Sequence, residues 1–391
     1  MSIPEPRRDR RGWVALALLL ALVPRGFTRA ADRIVLRNTR VISDRSVVSF
    51  DPDGVRLSGR PPMILGWDEI EQARLENAQE QTRFQTLLKQ LGDPLYRIRL
   101  RLKTGDYRDI APLAEALLPV YKTRRSNTAY VVFQGLFWSR LAQNRRAEAL
   151  VPYIYAVECL RSDSDHAIPL PGDRQPRVNL ATGLSPDLPP VWFDPESAKR
   201  ALPEVNEALR TVKEPVLPGL VLSVASLALE AGESAEADRL MAQAASSQTR
   251  TIQDLLLVLR ARRALDDPNP APALESLGKA SRDPEFSQRP LALYWLGLAR
   301  SQAEDPDQRR FGVLDLLTLP AAYGDDQPEL AAAGLYQGWK TLESLNDPGS
   351  AVLRTQLSRQ YASTVFGQKL AAELESLRKA NPESESGREQ P

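Results

Sequence analysis

The chain contains 391 residues, of which 42% are hydrophobic and 26% are charged, a composition typical of folded globular proteins. Its 51 basic and 50 acidic side chains nearly cancel, so the sequence lacks the positive charge that nucleic-acid binding usually requires. The single cysteine, Cys159, cannot form an intrachain disulfide, and with one histidine the sequence has no Cys/His cluster for zinc. We therefore expect a fold that is stabilised by packing.

Residues 1–30 have the three parts of a secretory signal peptide. A basic segment, RRDRRG, precedes the apolar run WVALALLLALV, and the small residues Thr28 and Ala30 suit cleavage after residue 30. The alternative is a membrane anchor, but as a helix this run rises only about 16 Å, roughly half of a bilayer core. Arg10 and Arg11 also loosely resemble a twin-arginine export signal. We expect a bacterial protein exported to the periplasm or another extracytoplasmic compartment, with no transmembrane span after cleavage.

Residues 31–76 have strand character and predict a small N-terminal β element. The segment SVVSF alternates apolar and polar residues, and DPDG is a turn sequence that is followed by VRLS. This pattern predicts a hairpin in which Gly54 takes a left-handed conformation, and a further strand in MILGWDEI. The piece resembles a fragment of a small SH3-like or Sm-like barrel. Because it is small for a core of its own, we expect it to dock on the segment that follows.

From residue 79 onward, apolar helical runs alternate with short polar turns. Six of these turns each lead into one position of the following helix, and in five turns that position holds a small residue. A small residue there would let the second helix approach the first closely. These positions are separated by 39, 88, 36, 39 and 39 residues, so four of five intervals match one helical hairpin. We predict hairpins in residues 77–161 and 196–379, separated by an insertion at residues 162–195. The six positions are Ile110, Ala149, Ala237, Ala273, Gly312 and Ala351.

The turn GESAEA, which begins at Gly232, resembles a tetratricopeptide repeat, and LYWLGLA from Leu293 resembles the first helix of that repeat. The tail QYASTVFGQKLAAEL is similar to the closing segment of exported tetratricopeptide proteins associated with outer-membrane assembly and the Tol system. Ala362 stands where that segment usually has a proline. The resemblance covers about residues 95–375, and it implies a mainly α fold, an α-solenoid of stacked helical hairpins.

The segment YRIRLRLK, residues 96–103, fits two interpretations. Its alternation would place Ile98, Leu100 and Leu102 on one side of a strand. It also precedes TGDYRDIAPLAEALLPVY at the repeat spacing, as the first helix of a hairpin would. We predict a helix, because the longer period outweighs the pattern of eight residues.

The segment RPLALYWLGLARSQ, residues 289–302, has almost no polar face before Arg300. A helix that is apolar nearly all round is buried between other elements, so we expect neighbours on both sides of it.

The insertion at residues 162–195 contains seven prolines and ends in LPPVWFDP. One interpretation is disorder, since long loops without secondary structure are often disordered or functional. The other is a strap, because Val191, Trp192 and Phe193 are costly to expose and would tuck into a groove or against a neighbouring hairpin. Residues 380–391 predict a flexible polar tail.

Little in the sequence indicates catalysis. The only histidine, His166, lies in the proline-rich insertion, and Cys159 lies on an apolar helix where a buried packing thiol is expected. The sequence contains no Walker loop, dinucleotide fingerprint, HExxH or GxSxG motif. Asp325 and Asp326 are typical of a helix-start cap. We therefore expect no enzymatic activity, no cofactor and no metal.

Aromatic residues of the first helices, such as Trp138, Trp295 and Trp339, are expected mainly in the core. In tetratricopeptide arrays, however, the first helices also line a concave surface, where such residues can anchor a peptide. By repeat position, the resemblance implies a partner-binding groove with the candidate residues Gln134, Trp138, Arg260, Tyr294, Gln302 and Lys340.

The sequence thus predicts a protein–protein interaction scaffold or adaptor of the bacterial cell envelope that binds a partner in a concave face. The resemblance implies protein partners in envelope assembly or Tol-type machinery, and no nucleic acid is expected. Two alternatives stay open: an unrecognised envelope enzyme with the insertion at residues 162–195 as its lid, and a structural protein that self-associates.

Overall fold

A computed structural model describes residues 32–162 and 177–380, and these are mainly helical with a small N-terminal region of antiparallel sheet. The chain divides into two compact units, of which the first ends at Asp93 and the second begins at Pro94. The predicted signal peptide, residues 163–176 of the insertion and the polar tail from residue 381 lie outside the described residues.

The first unit contains two three-stranded antiparallel sheets. One sheet has the strand order β2-β1-β6 and the other β3-β4-β5. The strands are β1 (Arg33–Leu36), β2 (Val41–Ile42), β3 (Val47–Asp51), β4 (Gly54–Leu57), β5 (Met63–Leu65) and β6 (Ile70–Arg74).

The predicted hairpin is confirmed, with Asp51 paired to Gly54 across the turn between β3 and β4. Gly54 has a φ of +152°, a backbone conformation that favours glycine, although it is more extended than the left-handed helical region. A Cβ atom at this position would lie 2.6 Å from the carbonyl oxygen of Leu65 on the adjacent strand. Gly54 is therefore required both by the turn and by the close approach of β5.

An aromatic core closes the first unit. The ring of Phe84, on helix α1 (Ala78–Leu87), lies 5.2 Å from Phe50 and 5.0 Å from Trp67, measured between ring centroids. The Trp67 indole nitrogen donates to the Asp51 carbonyl oxygen at 2.7 Å. The sheets thus obtain their core from the helix that follows them, because a β element of this size buries too little surface alone.

The ambiguous segment YRIRLRLK is helical and lies in α2 (Asp93–Thr104), which follows α1 after a π-helical turn at Leu88–Gly92. Leu95, Ile98 and Leu102 are buried, whereas Leu100 is 47% exposed. Burial therefore follows the spacing of a helix and not the alternation of a strand.

Helices make up most of the second unit. They are α3 (Ala111–Tyr121), α4 (Asn127–Ala142), α5 (Arg146–Ser162), α6 (Pro195–Arg210), α7 (Pro218–Glu230), α8 (Ser234–Ala244), α9 (Arg250–Ala264), α10 (Ala271–Arg282), α11 (Arg289–Ser301), α12 (Pro306–Tyr323), α13 (Pro328–Ser344), α14 (Gly349–Gln360) and α15 (Val365–Ala380). Within the described ranges, every helix is too short or too polar to cross a membrane.

Two sets of helices alternate along the second unit. Every helix from α3 onward packs against the next one in the chain, and in addition α7, α9, α11, α13 and α15 each contact the following member of that series. We call these five the inner helices and the intervening α8, α10, α12 and α14 the outer helices. The apolar segment of residues 289–302 forms the inner helix α11, which is buried from Pro290 to Gly297 as predicted.

Four of the predicted polar turns have the same backbone structure. Gly105, Asn144, Gly232 and Asn346 have positive φ values between 56° and 80°. In each turn the next residue donates its N–H to the carbonyl oxygen of the residue five positions earlier, at 2.8 to 3.0 Å. This is the Schellman arrangement, in which a left-handed residue ends a helix and satisfies its last carbonyl groups.

The predicted close helix approach is clearest at Gly312. A Cβ atom there would lie 2.5 Å from the Ser301 nitrogen and 2.7 Å from the Gly297 oxygen, so α11 and α12 touch through their backbones. The corresponding prediction for Ala351 is wrong, because this residue is exposed. The outer helix α14 buries Leu353 and Leu357 instead, so its contact face is set by the larger apolar side chains.

The described end of the insertion, residues 177–194, is a strap packed on several helices. Val191 and Trp192 are buried, in agreement with the strap interpretation. The Ser226 hydroxyl on α7 donates to the Pro190 carbonyl oxygen at 2.6 Å, and the Tyr153 hydroxyl on α5 donates to that of Gly183 at 2.9 Å. We use the name strap for residues 177–194 below.

Candidate functional site

Six aromatic side chains form a connected cluster where the strap meets the inner helices. Phe193 of the strap lies 5.0 Å from Phe366 and 6.0 Å from Tyr294, and Phe366 lies 4.8 Å from Tyr336, measured between ring centroids. We call this set the inner aromatic cluster; its members are Phe193, Tyr294, Trp295, Tyr336, Trp339 and Phe366.

Local sequence explains how each helix contributes to the cluster. Tyr336 and Trp339 are three residues apart on α13, so both rings project from the same side of that helix. Phe366 stands in the first turn of α15, whose start is fixed by the Thr364 hydroxyl, an acceptor for the Gly367 N–H at 3.1 Å. The strap then brings Phe193 between α11 and α15.

Four cationic side chains lie over these rings. The Lys340 nitrogen is 4.1 Å from the Trp339 centroid, and the Lys369 nitrogen is 4.8 Å from that of Tyr336. The guanidinium carbons of Arg262 and Arg146 lie 4.7 Å from the Trp295 ring and 5.9 Å from the Phe193 ring. Such cation–π contacts favour a positive charge above an aromatic face, so the cluster has a basic edge.

Glu373 contacts both Tyr336 and Lys340 at this edge. The Tyr336 hydroxyl donates to its carboxylate at 2.5 Å, and the Lys340 nitrogen lies 3.0 Å from the other oxygen. Burial alone would raise the pKa of Glu373, but the hydrogen bonds from Tyr336 and Lys340 outweigh it and the pKa is lowered. Lys340 is therefore paired at neutral pH, whereas exposed Lys369 has no carboxylate within salt-bridge distance in the described part of the chain.

A half-buried carboxyl group, that of Glu230, lies at the other end of the cluster. Burial raises the pKa of Glu230, the last residue of α7, to about 7, although the nearby Arg262 opposes this effect. Burial, and secondly the charge of Glu230, also raise the pKa of Tyr294. Glu230 thus changes its charge near neutral pH inside the second unit.

Arg146, at the start of α5, is buried with only 7% of its surface exposed. Its Nε and Nη2 atoms have no hydrogen-bond partner among the described residues. Burial lowers the pKa of this guanidinium, and Glu329 is the charge that opposes the shift. The Glu329 carboxylate accepts from the Val365 N–H at 3.2 Å, so it also supports the first turn of α15.

The structure brings two of the six predicted groove residues into this cluster. Tyr294 belongs to it but is buried, with 3% exposed, whereas Lys340 is half-buried at the basic edge. Their helices, α11 and α13, contact each other, and the rings of Phe193, Phe366 and Tyr336 connect the two positions.

The other four predicted residues lie apart from these contacts. Gln134 is buried in α4, with 1% exposed, and Trp138 stacks on Tyr107 at 5.7 Å between centroids. Arg260 on α9 and Gln302 at the end of α11 are exposed. The six residues chosen by repeat position therefore do not form one surface in the structure.

Sequence reasoning missed Phe366, Lys369 and Glu373 as members of the site. Their spacing of three and then four residues places them on one side of α15, a signal that was available in FGQKLAAE. The contact of Phe193 with Phe366 joins residues that are 173 positions apart, and no local pattern indicates it.

Among the described residues, no group of three or more histidine, cysteine, aspartate or glutamate side chains could hold a metal ion. Cys159 is buried, as expected of a packing thiol, and His166 lies outside the described residues. Asp325 and Asp326 do not cap α13 as predicted, because its N-cap position is occupied by Gln327 and carries no side-chain cap hydrogen bond.

Comparison of the chain with protein-family models, curated proteins and solved structures gives no match.

Proposed function

We propose that this protein is a non-enzymatic protein–protein interaction scaffold of the bacterial cell envelope, built as a tetratricopeptide-like α-solenoid and exported by its N-terminal signal peptide. Four Schellman turns of the same pattern support the repeat, since Gly105, Asn144, Gly232 and Asn346 each stand five residues before one of the six predicted repeat positions. The contacts from one inner helix to the next support stacked hairpins. The SH3-like character of the sheet region is part of the same proposal.

The observation that carries the proposal is the strap itself. Its residues lack regular secondary structure and lie against α5, α7, α11 and α15, where Val191 and Trp192 are buried. These helices therefore present apolar and aromatic surface, with hydrogen-bond donors such as Ser226, to an extended segment. A rigid helical surface that holds one extended segment is suited to hold a second at low entropic cost.

The accessible end of this surface is the basic edge at Lys340 and Lys369. Lys369 is exposed above the Tyr336 ring, and Glu373 forms a salt bridge with Lys340 at 3.0 Å but not with Lys369. An acidic group of the partner would pair with Lys369. We therefore assign the partner as an extended, acidic segment of another envelope protein.

Site-specific photocrosslinking tests this assignment. A photoreactive amino acid is placed at Ala372, an exposed position of α15 one turn after Lys369, and as a control at Thr355 on the outer helix α14. We expect a discrete crosslinked partner from position 372 in living host cells, and its loss when Lys369→Glu is added. Lys279→Glu, an exposed charge reversal on α10, should leave the crosslink unchanged. The proposal fails if both positions capture the same proteins or if Lys369→Glu has no effect.

Exposed apolar residues on outer helices favour self-association as a second candidate. Phe311 and Leu314 on α12 and Val352 on α14 are each more than half exposed. Light scattering of the purified chain across a concentration series distinguishes the two functions: a stable oligomer that Leu314→Glu converts to a monomer supports self-association, and a monomer at all concentrations excludes it.

A further inference from the structure

A second candidate site lies where α12 and α14 end and α13 and α15 begin. A pocket of about 730 Å³ is lined there by residues from 320–326 and from 360–364, together with Pro328. Its walls therefore come from the ends of two successive hairpins. None of the residues of the inner aromatic cluster lines it.

The charge on the pocket wall is negative. Asp325 and Asp326 are exposed, and neither carboxylate forms a hydrogen bond or ion pair with the described residues. The C-terminal turns of α12 and α14 add the partial negative charge of helix carbonyl groups. Arg177 of the strap is near Asp326, but it is bound to Asp187 through a charged hydrogen bond of 2.7 Å.

Several hydrogen-bond donors at the helix starts beside this pocket are already bonded within the chain. The Val365 N–H binds Glu329, and the Gly367 and Gln368 N–H groups bind the side chain and carbonyl of Thr364. α13 begins with Pro328, which has no N–H, and carries Glu329 in its first turn. An anionic ligand would thus meet few free donors and two carboxylates.

A buried phenol completes the pocket. Only 8% of Tyr361 is exposed, and its hydroxyl makes no hydrogen bond with the described part of the chain. The hydroxyl lies against Gly324, where a Cβ atom would be 2.6 Å from the phenolic oxygen. Burial, and secondly the charge of Asp325, raise the pKa of Tyr361, so the oxygen stays a neutral acceptor and donor. Tyr361 is thus a mostly buried residue that lines the pocket and whose hydroxyl can take its hydrogen-bond partner from a ligand.

We propose that this pocket binds the cationic end of a lysine or arginine side chain from a partner protein, with Asp325 and Asp326 as counter-charges and the Tyr361 hydroxyl oxygen as a hydrogen-bond acceptor. The absence of a side chain at Gly324 keeps the path to Tyr361 open. This site is independent of the proposed acidic partner segment at Lys369, since different residues form it.

The test uses the purified chain and three short probes: acetyl-Ala-Arg-Ala-amide, acetyl-Ala-Lys-Ala-amide and the neutral acetyl-Ala-Gln-Ala-amide. Binding is followed by NMR through the Gly324 amide signal in ¹⁵N-labelled protein. We expect saturable shifts with at least one cationic probe, weakened by added salt, and none with the neutral probe. The stronger of the two cationic probes identifies the preferred residue type.

Variants assign the binding to named groups. Asp325→Asn together with Asp326→Asn should weaken binding by about tenfold or more, because both counter-charges are lost. Tyr361→Phe should weaken it by roughly threefold without lowering the melting temperature, because the hydroxyl has no partner in the free protein. Glu304→Gln removes an exposed acid at another turn and should leave binding unchanged.

Several outcomes would overturn the inference. The neutral probe would bind as well as the cationic probes, or the double aspartate variant would bind as well as the wild type. The third such outcome is no shift of the Gly324 signal with either cationic probe at 20 mM, a concentration roughly matching the weak affinity of a single exposed ion pair. A Ca²⁺ titration that shifts Gly324 and abolishes peptide binding would also reject a side-chain ligand in favour of a metal. A large loss of stability in Tyr361→Phe would assign the hydroxyl to the fold.

Discussion

The inner helix α11 and the outer helix α14 have nearly equal lengths, 13 and 12 residues, but they are buried to very different extents. α11 is buried continuously from Pro290 to Gly297, whereas α14 buries only Leu353 and Leu357. The difference follows from their neighbours: α11 contacts α9, α10, α12 and α13, and α14 contacts α13 and α15. In this fold, stability therefore depends mainly on the inner helices, and the outer helices are the more tolerant of change.

The largest expected difference comes from removing one apolar side chain from each set. Leu296→Ala on α11, where the side chain is 1% exposed, should lower the free energy of unfolding by about 3 to 5 kcal/mol through lost burial and a cavity. Val352→Ala on α14, where the side chain is 66% exposed, should change it by less than about 0.5 kcal/mol. Urea unfolding measures both values. Similar losses in the two variants would contradict the division into inner and outer helices.

Titration of the half-buried carboxyl group of Glu230 gives the next largest effect. Because the pKa of Glu230 is raised to about 7 in the folded chain, the native state holds a proton that the unfolded state loses near pH 4.5. Stability should thus fall as the pH rises from about 4.5 to about 7 and then level off. Glu230→Gln should stabilise the protein at pH 8 by about 1 to 3 kcal/mol, and this gain should vanish toward pH 4.5.

The outer helix α8 provides the control for this titration. Its Glu236 is paired with Arg239, and that hydrogen bond lowers the pKa of the carboxyl group. Glu236→Gln should therefore not stabilise the protein at pH 8. Thermal unfolding from pH 4 to pH 9 distinguishes the variants, and a wild-type profile that is flat between pH 4.5 and 7 would show that Glu230 does not titrate there.

The sequence predicted the helices and their turns well because these features are local. The Schellman turns at Gly232 and Asn346 need one left-handed residue and a few neighbours, all within six positions. In YRIRLRLK the alternating pattern competed with the repeat spacing, and the helix formed because Leu95, Ile98 and Leu102 share one helical face.

The site was less predictable because it depends on contacts between distant segments. Phe193 meets Phe366 only after the strap has packed on α7 through Ser226, and neither event leaves a periodic signal in the sequence. Accessibility was equally hidden. Tyr294 and Lys340 both lie on inner helices, but contacts with the strap and with α15 leave Tyr294 buried and Lys340 half-buried.

Backbone contact between an inner and an outer helix gives an effect of intermediate size. Gly312→Ala on α12 would place a methyl group 2.5 Å from the Ser301 nitrogen of α11, so the helices must separate, at a cost of about 1 to 3 kcal/mol. Gly278→Ala on α10 is the matched control, since a Cβ atom there meets nothing within 4 Å. It should stabilise the helix by roughly 0.5 to 1 kcal/mol. If Gly312→Ala and Gly278→Ala changed the free energy of unfolding in the same direction, the close approach at Gly312 would not be supported.

The smallest effects are expected at the turns that join inner to outer helices. Gly232 has a φ of +80° and no atom within 4 Å of its would-be Cβ, so Gly232→Ala should cost about 1 kcal/mol through backbone strain alone. Asn346 holds the same conformation at the α13–α14 turn, and Asn346→Gly should gain a few tenths of a kcal/mol, roughly, by relieving that strain. Denaturation of both variants under one condition compares them. Because the two turns share one hydrogen-bond pattern, the two substitutions should change the free energy of unfolding in opposite directions. A loss of stability in Asn346→Gly would mean that the asparagine side chain contributes more than its backbone conformation.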